Sequence, residues 1–113
     1  LAAGRFTLAP EAETQAEIET FLAARLPLGV SLSREHRLSA QDRPDFLIDG
    51  RIIVEVKVRG QSRRDIARQL DRYAEHACVE DIVLATNVSI AAGPAGLGRG
   101  KRLFVVHLGR AWL

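Results

Sequence analysis

Asp45, Glu55 and Lys57 are the residues of this chain whose types and spacing could do chemistry. They stand in Pro44-Asp45 and Glu55-Val56-Lys57, on either side of the apolar runs Phe46-Leu47-Ile48 and Ile52-Ile53-Val54. Two carboxylates held about 5 Å apart repel by roughly 3 kcal/mol at an effective dielectric of about 20, so one stays protonated unless a cation lies between them. A divalent ion removes the conflict. An oxygen-only donor set of Asp45, Glu55 and the Val56 backbone carbonyl suits magnesium, with manganese able to substitute. Lys57 could orient or deprotonate an attacking water and offset charge on a pentavalent phosphorus. That chemistry is metal-dependent phosphodiester hydrolysis, and a solvated, salt-bridged hairpin face is the competing reading.

The three groups meet only if the two apolar runs pair as a hairpin around Asp49-Gly50. Phe46, Ile48, Ile52, Val54, Val56 and Val58 hold even positions, and Asp45, Asp49, Arg51, Glu55, Lys57 and Arg59 odd ones, so one face reads as apolar and the other as charged. A two-residue turn pairing Ile48 with Arg51 would set even residues opposite odd ones and split both faces. A three-residue turn with a bulge and a left-handed Gly50 pairs Leu47 with Arg51 and keeps each set on its own side. Packing and chemistry thus independently demand the same register.

At 113 residues the chain reads as one domain, 1–113, compatible with a piece of a longer chain and apolar enough to fold without disulfides. Cys78 is the sole cysteine, which excludes internal disulfides and any cysteine-rich zinc site. No membrane-spanning run or signal peptide is visible, so a cytoplasmic location and no membrane partner are expected. Net charge is +2, yet all but two of the 16 basic residues are arginine, the side chain suited to forked phosphate contacts. Glu11, Glu13, Glu17 and Glu19 load the N-terminal segment and Arg59, Arg63, Arg64, Arg68 and Arg72 the middle, an asymmetry that fits a nucleic-acid polyanion.

Pro10 followed by Glu11 and Glu13 reads as a helix start, continued by a stripe of Ile18, Phe21, Leu22 and Leu26 and ended by Pro27 and Gly29. Residues 30–38 read as a first strand, and the hairpin supplies the second and third. Gln61-Ser62 opens a second helix with Ile66, Leu70, Tyr73, Ala74 and Ala77 on its apolar side and Arg64, Arg68 and Arg72 on the other. Residues 81–86 form a continuous apolar strand for the sheet centre, 87–102 a Gly-rich loop and 103–108 a last strand. The order predicts an α/β fold with an α-β-β-β-α-β core, a mixed central sheet flanked by helices, and a C-terminal strand.

Pro44-Asp45, then Glu55-Val56-Lys57 after a hairpin, then a helix, together resemble the PD-(D/E)xK nuclease superfamily, whose restriction-endonuclease-like fold has this element order. Gln69-Leu70-Asp71-Arg72-Tyr73 is similar to the Gln-x-x-x-Tyr motif of the branch that contains helicase-nuclease domains. The resemblance implies magnesium-dependent hydrolysis of DNA by an activated water, without a covalent enzyme intermediate. It implies catalytic roles for Asp45, Glu55, Lys57 and Gln69, and a DNA contact for Tyr73. Members often add a glutamate from the first helix. Glu11 lies within about 20° of the centre of the Ile18-Leu22 stripe, with Gln15 on the same side, and completes the expected metal set of Glu11, Asp45, Glu55 and the Val56 carbonyl. Arg43, Arg59, Arg64, Arg68, Arg72 and Lys101 are the expected contacts to the DNA backbone. Small chains of this type include structure-specific endonucleases and resolvases of repair and recombination, which usually work as dimers, so a homodimer is compatible. Exonucleases and restriction enzymes of phage defence share the motif.

Gly96-Leu97-Gly98-Arg99-Gly100-Lys101 has Ala95 where the Walker pattern needs its first glycine and Arg102 where it needs Ser or Thr, so no nucleotide cofactor is expected. His36, His76 and His107 lack metal-ligand spacing, Cys78 has no partner base in sequence, and Trp112 is expected against the sheet. Two rivals stand beside the endonuclease. One is a catalytically silent DNA-binding or assembly module of the same fold, the other an exonuclease or RNA-directed nuclease.

Overall fold

The computed structural model describes residues 2–58, 61–88 and 93–108, and the side chains of these except 2–11, 93–96 and 98. Helix α1 runs Ala2–Arg25. The start expected at Pro10 is therefore too late, because Ala2, Ala3, Leu8 and Ala9 are strong helix formers that carry the helix past the proline at the loss of one backbone bond. Ile18 is buried and Leu22 and Leu26 pack half-buried beside it. Phe21 leaves the expected stripe: it sits about 100° round the helix from the centre of those three. It is 42% exposed and lies under Arg25, whose guanidinium is 3.8 Å from the ring centre.

Strands β1 (Leu32–Arg34), β2 (Phe46–Ile48), β3 (Ile52–Lys57), β4 (Asp81–Thr86), β5 (Gly93–Gly96) and β6 (Arg102–His107) form one sheet in the order β1-β2-β3-β4-β6-β5. The first three are antiparallel, β3, β4 and β6 are parallel, and β5 returns antiparallel on the edge, so the sheet is mixed. Helix α2 (Arg63–Ala74) is the crossover between β3 and β4. The chain is an α/β protein. Two expectations need correcting: β1 is three residues long rather than spanning 30–38, since Glu35 takes a left-handed φ of 52°, and the 87–102 loop contains an edge strand.

Ser62 caps α2, its hydroxyl accepting the Asp65 N–H at 3.1 Å. Ile66, Leu70, Tyr73 and Ala74 are buried on its inner side as the periodicity predicts, whereas Ala77 lies beyond the helix and is exposed. With Leu47, Ile53, Ile82, Leu84 and Val105 they form the core on one face of the sheet. Phe46, Ile48, Val54, Val56 and Ala85 pack with Ile18 on the other. Burying one such side chain is worth about 1.5–3 kcal/mol, so both helices are held mainly by these faces.

The hairpin register is Phe46↔Val54, Leu47↔Ile53 and Ile48↔Ile52. Even faces even, as packing and chemistry required, but Leu47 pairs with Ile53 and not with Arg51. The reason lies in the turn. Asp49 joins Gly50 at positive φ (54° and 70°), and the Arg51 N–H donates to the Ile48 carbonyl at 3.0 Å. Two left-handed residues match the twist of the flanking strands, and Arg51 becomes the extra, bulged residue before pairing starts. The odd face is also less polar than expected, because Leu47 and Ile53 share it and α2 covers it.

Candidate active site

Extending the observed register past β2 sets Asp45 opposite Glu55 and Pro44 opposite Val56. Cross-strand neighbours have Cβ atoms about 5 Å apart, which brings the two carboxylates together without help from any loop. Side chains replace the ladder here. The Asp45 N–H donates to Glu55 Oε1 at 3.1 Å, and Asp45 Oδ2 accepts the Val56 N–H at 2.7 Å. Pro44 has no N–H, so it cannot donate to the Val56 carbonyl facing it. Asp45 Oδ1 accepts Gln15 Nε2 at 3.1 Å, which ties α1 to the site.

Glu55 is 2% exposed and Lys57 8%, with Lys57 Nζ 2.9 Å from Glu55 Oε2. Burial pushes the Glu55 carboxyl above the ordinary carboxylate range, and the Lys57 ammonium and the Asp45 N–H pull it back only in part. Tyr73, from α2, donates its hydroxyl to Glu55 Oε1 at 3.4 Å. Burial, then the charges of Glu55, Asp45 and Asp42, push that phenol upward, so it stays a donor. The Thr86 hydroxyl holds the Lys57 carbonyl from β4.

Asp45 and Glu55 make a hard, oxygen-only pair; Glu55 Oε1 already accepts from both the Asp45 N–H and Tyr73, so Oε2, beside Lys57, is the Glu55 oxygen with a lone pair beyond the bonds just given. Asp45 is half-buried and reachable. These residues fit a magnesium ion that keeps several waters. Among the described residues no group of three or more His, Cys, Asp or Glu side chains gathers. Glu11, the expected third carboxylate, has its side chain outside the described residues, as do Arg59 and Trp112 altogether. Gln15, one helical turn beyond Glu11, reaches Asp45 from α1 among the described residues. Its signal in the sequence was that shared face.

Gln69 and Tyr73 line one cleft together with Arg43, as the spacing on one flank of α2 foretold. Arg64 and Arg68 are exposed on the outer side of α2. Arg72 instead binds inward: its Nε is 2.9 Å from Asp42 Oδ1, and His76 Nε2 is 2.8 Å from Asp42 Oδ2. Lys101 is not brought to the site. Its Nζ donates to the His76 carbonyl at 2.6 Å, and the adjoining Arg102 stands level with Ile52, at the far end of β3 from Lys57. Sequence reasoning missed Asp42, which only the fold sets beside Arg72 and His76. Burial would raise its carboxyl, but the His76 and Arg72 hydrogen bonds outweigh that and lower it.

No helix among the described residues is long and apolar enough to cross a membrane. Comparison with family models, characterised proteins and solved structures finds no match for this chain.

Proposed function

We propose that the chain is a magnesium-dependent DNA endonuclease of the PD-(D/E)xK type. One observation carries the reading: an Asp45 and Glu55 pair opposite each other in register, with Lys57 and, from the crossover helix, Tyr73 on Glu55, and with Gln69 lining a cleft together with Tyr73. Burying a carboxylate and an ammonium costs more than their attraction commonly returns, so a fold that needed only stability would do as well with apolar residues there. Asp45, Glu55 and the Val56 carbonyl would hold the ion. When bound, magnesium supplies charge neutralisation at the phosphate and a more acidic water.

The chain's own groups do the rest. Lys57, confined by Glu55, presents an ammonium at a fixed point where it orients the attacking water and stabilises charge on phosphorus. Tyr73 stays protonated and holds Glu55 in one rotamer. Gln15 and the Val56 N–H do the same for Asp45. Gln69 orients water from the flank of α2. The competing silent DNA-binding module draws support from Glu55, whose two oxygens are already engaged by Lys57, Asp45 and Tyr73.

Incubation with linear duplex, circular single-stranded and branched DNA and with RNA, with magnesium and with EDTA, tests the proposal. Magnesium-dependent cuts in circular DNA that disappear in Lys57→Ala are expected. Cleavage of RNA alone would move the reading to the RNA rival, and cleavage of nothing would sink the enzyme.

A further inference from the structure

The segment between β1 and β2 is pinned from within. Leu38 and Ser39 N–H groups donate to the Asp42 carbonyl at 2.8 and 3.3 Å, and Ser39 Oγ accepts the Gln41 and Asp42 N–H groups at 3.3 and 3.1 Å. The Asp42 carboxylate, 6% exposed, fastens it to α2 through Arg72 and His76. Between this segment and α2 opens a cleft of about 260 Å³ lined by Arg37, Ala40, Gln41, Arg43, Gln69 and Tyr73. The lining holds two guanidinium groups, two amides and a phenol, and no carboxylate. Tyr73 links it directly to Glu55.

Both arginines keep donors to offer. Arg37 spends Nη1 on the Ala40 carbonyl at 3.2 Å, which leaves most of its five N–H groups uncommitted by that bond. Arg43 is half-exposed, with Glu35 Oε1 a loose 3.7 Å from its Nε. Two like charges bordering one cleft without an intervening acid favour an anionic occupant, and planar forks favour phosphate oxygens.

We infer that this cleft is a phosphate-gripping subsite, in which Arg37 and Arg43 hold the DNA backbone beside the phosphate presented to Asp45 and Glu55. It rests on the nuclease reading only for what happens next door. Asp42 keeps the arginine-bearing segment against α2 through Arg72 and His76.

Fluorescence anisotropy with labelled 20-mer single-stranded and duplex DNA, in EDTA and over a series of salt concentrations, tests it. Each lost phosphate contact lowers the slope of log affinity against log salt by about 0.9 for duplex and about 0.7 for single strands. Arg37→Ala and Arg43→Ala should each show that drop. Arg51→Ala, on the hairpin and paired with Asp49 and Glu80, should not. Unchanged slopes in the first two, an equal drop in the third, or no binding by the wild type would overturn the subsite. Cleavage is read separately in magnesium. Lowered slopes in a protein that never cuts leave the subsite standing and remove the nuclease, whereas normal cutting with unchanged slopes does the reverse.

Discussion

Replacing Lys57 by Met keeps side-chain length and packing but removes the ammonium 2.9 Å from Glu55 Oε2. At an effective dielectric of about 20 that contact carries about 6 kcal/mol of attraction. The whole of it is not lost, because Glu55 can neutralise itself. Taking up a proton from an ordinary value of 4.5 costs about 4 kcal/mol at pH 7.5 and about 1.4 kcal/mol at pH 5.5, which caps the damage. The sign follows from linkage. Glu55 is already raised in the folded chain by burial, and without Lys57 it rises further. The gap between variant and wild type is therefore smallest below the folded wild-type Glu55 value, and it widens as pH climbs from there toward the higher value Glu55 takes without Lys57. Urea unfolding followed by circular dichroism at pH 5.5 and 7.5 should show a destabilisation that grows between them, by at most about 2.7 kcal/mol, the limit for one proton over two pH units. In a Glu55→Gln background the same change should cost under about 1 kcal/mol, since no buried charge is left unpaired. A pH-independent loss, or an equal loss in both backgrounds, would refute the idea that the pair is a coupled buried ion pair.

Asp45→Asn should weaken manganese binding by calorimetry at least tenfold, and unchanged affinity would remove Asp45 from the metal set. Asp42→Asn should cost about 1.5–3 kcal/mol at pH 7, because one charge-assisted bond loses its acceptor and the other the charge of its acceptor. Its carboxyl is lowered in the fold, so that contribution is present above 3.8 and lost as pH falls through the folded value; a gap to wild type that persists in strong acid would contradict it. Ser62→Ala should lower stability by about 1 kcal/mol through the lost cap on α2, and a neutral result in thermal unfolding would show that the packed face alone sets the helix start.

The sequence by itself determined which residues share a face. Period two along 46–58 and the apolar positions of α2 set Asp45, Glu55 and Lys57 to one side and Tyr73 toward them, because side-chain direction is a local property of extended and helical backbone. Proline and glycine marked the turns, though not the outcome at Pro10, where neighbouring helix formers outweighed one missing bond. Tertiary structure decided everything that depends on which elements meet. Burial of the charged face under α2 joins residues 18 apart in sequence, Gln15 on Asp45 and Asp42 beneath Arg72 and His76 join residues 30 or more apart, and no periodicity encodes such pairs. Lys101 went to the opposite end of β3 for the same reason, since strand order and register, not composition, fix where a loop lies.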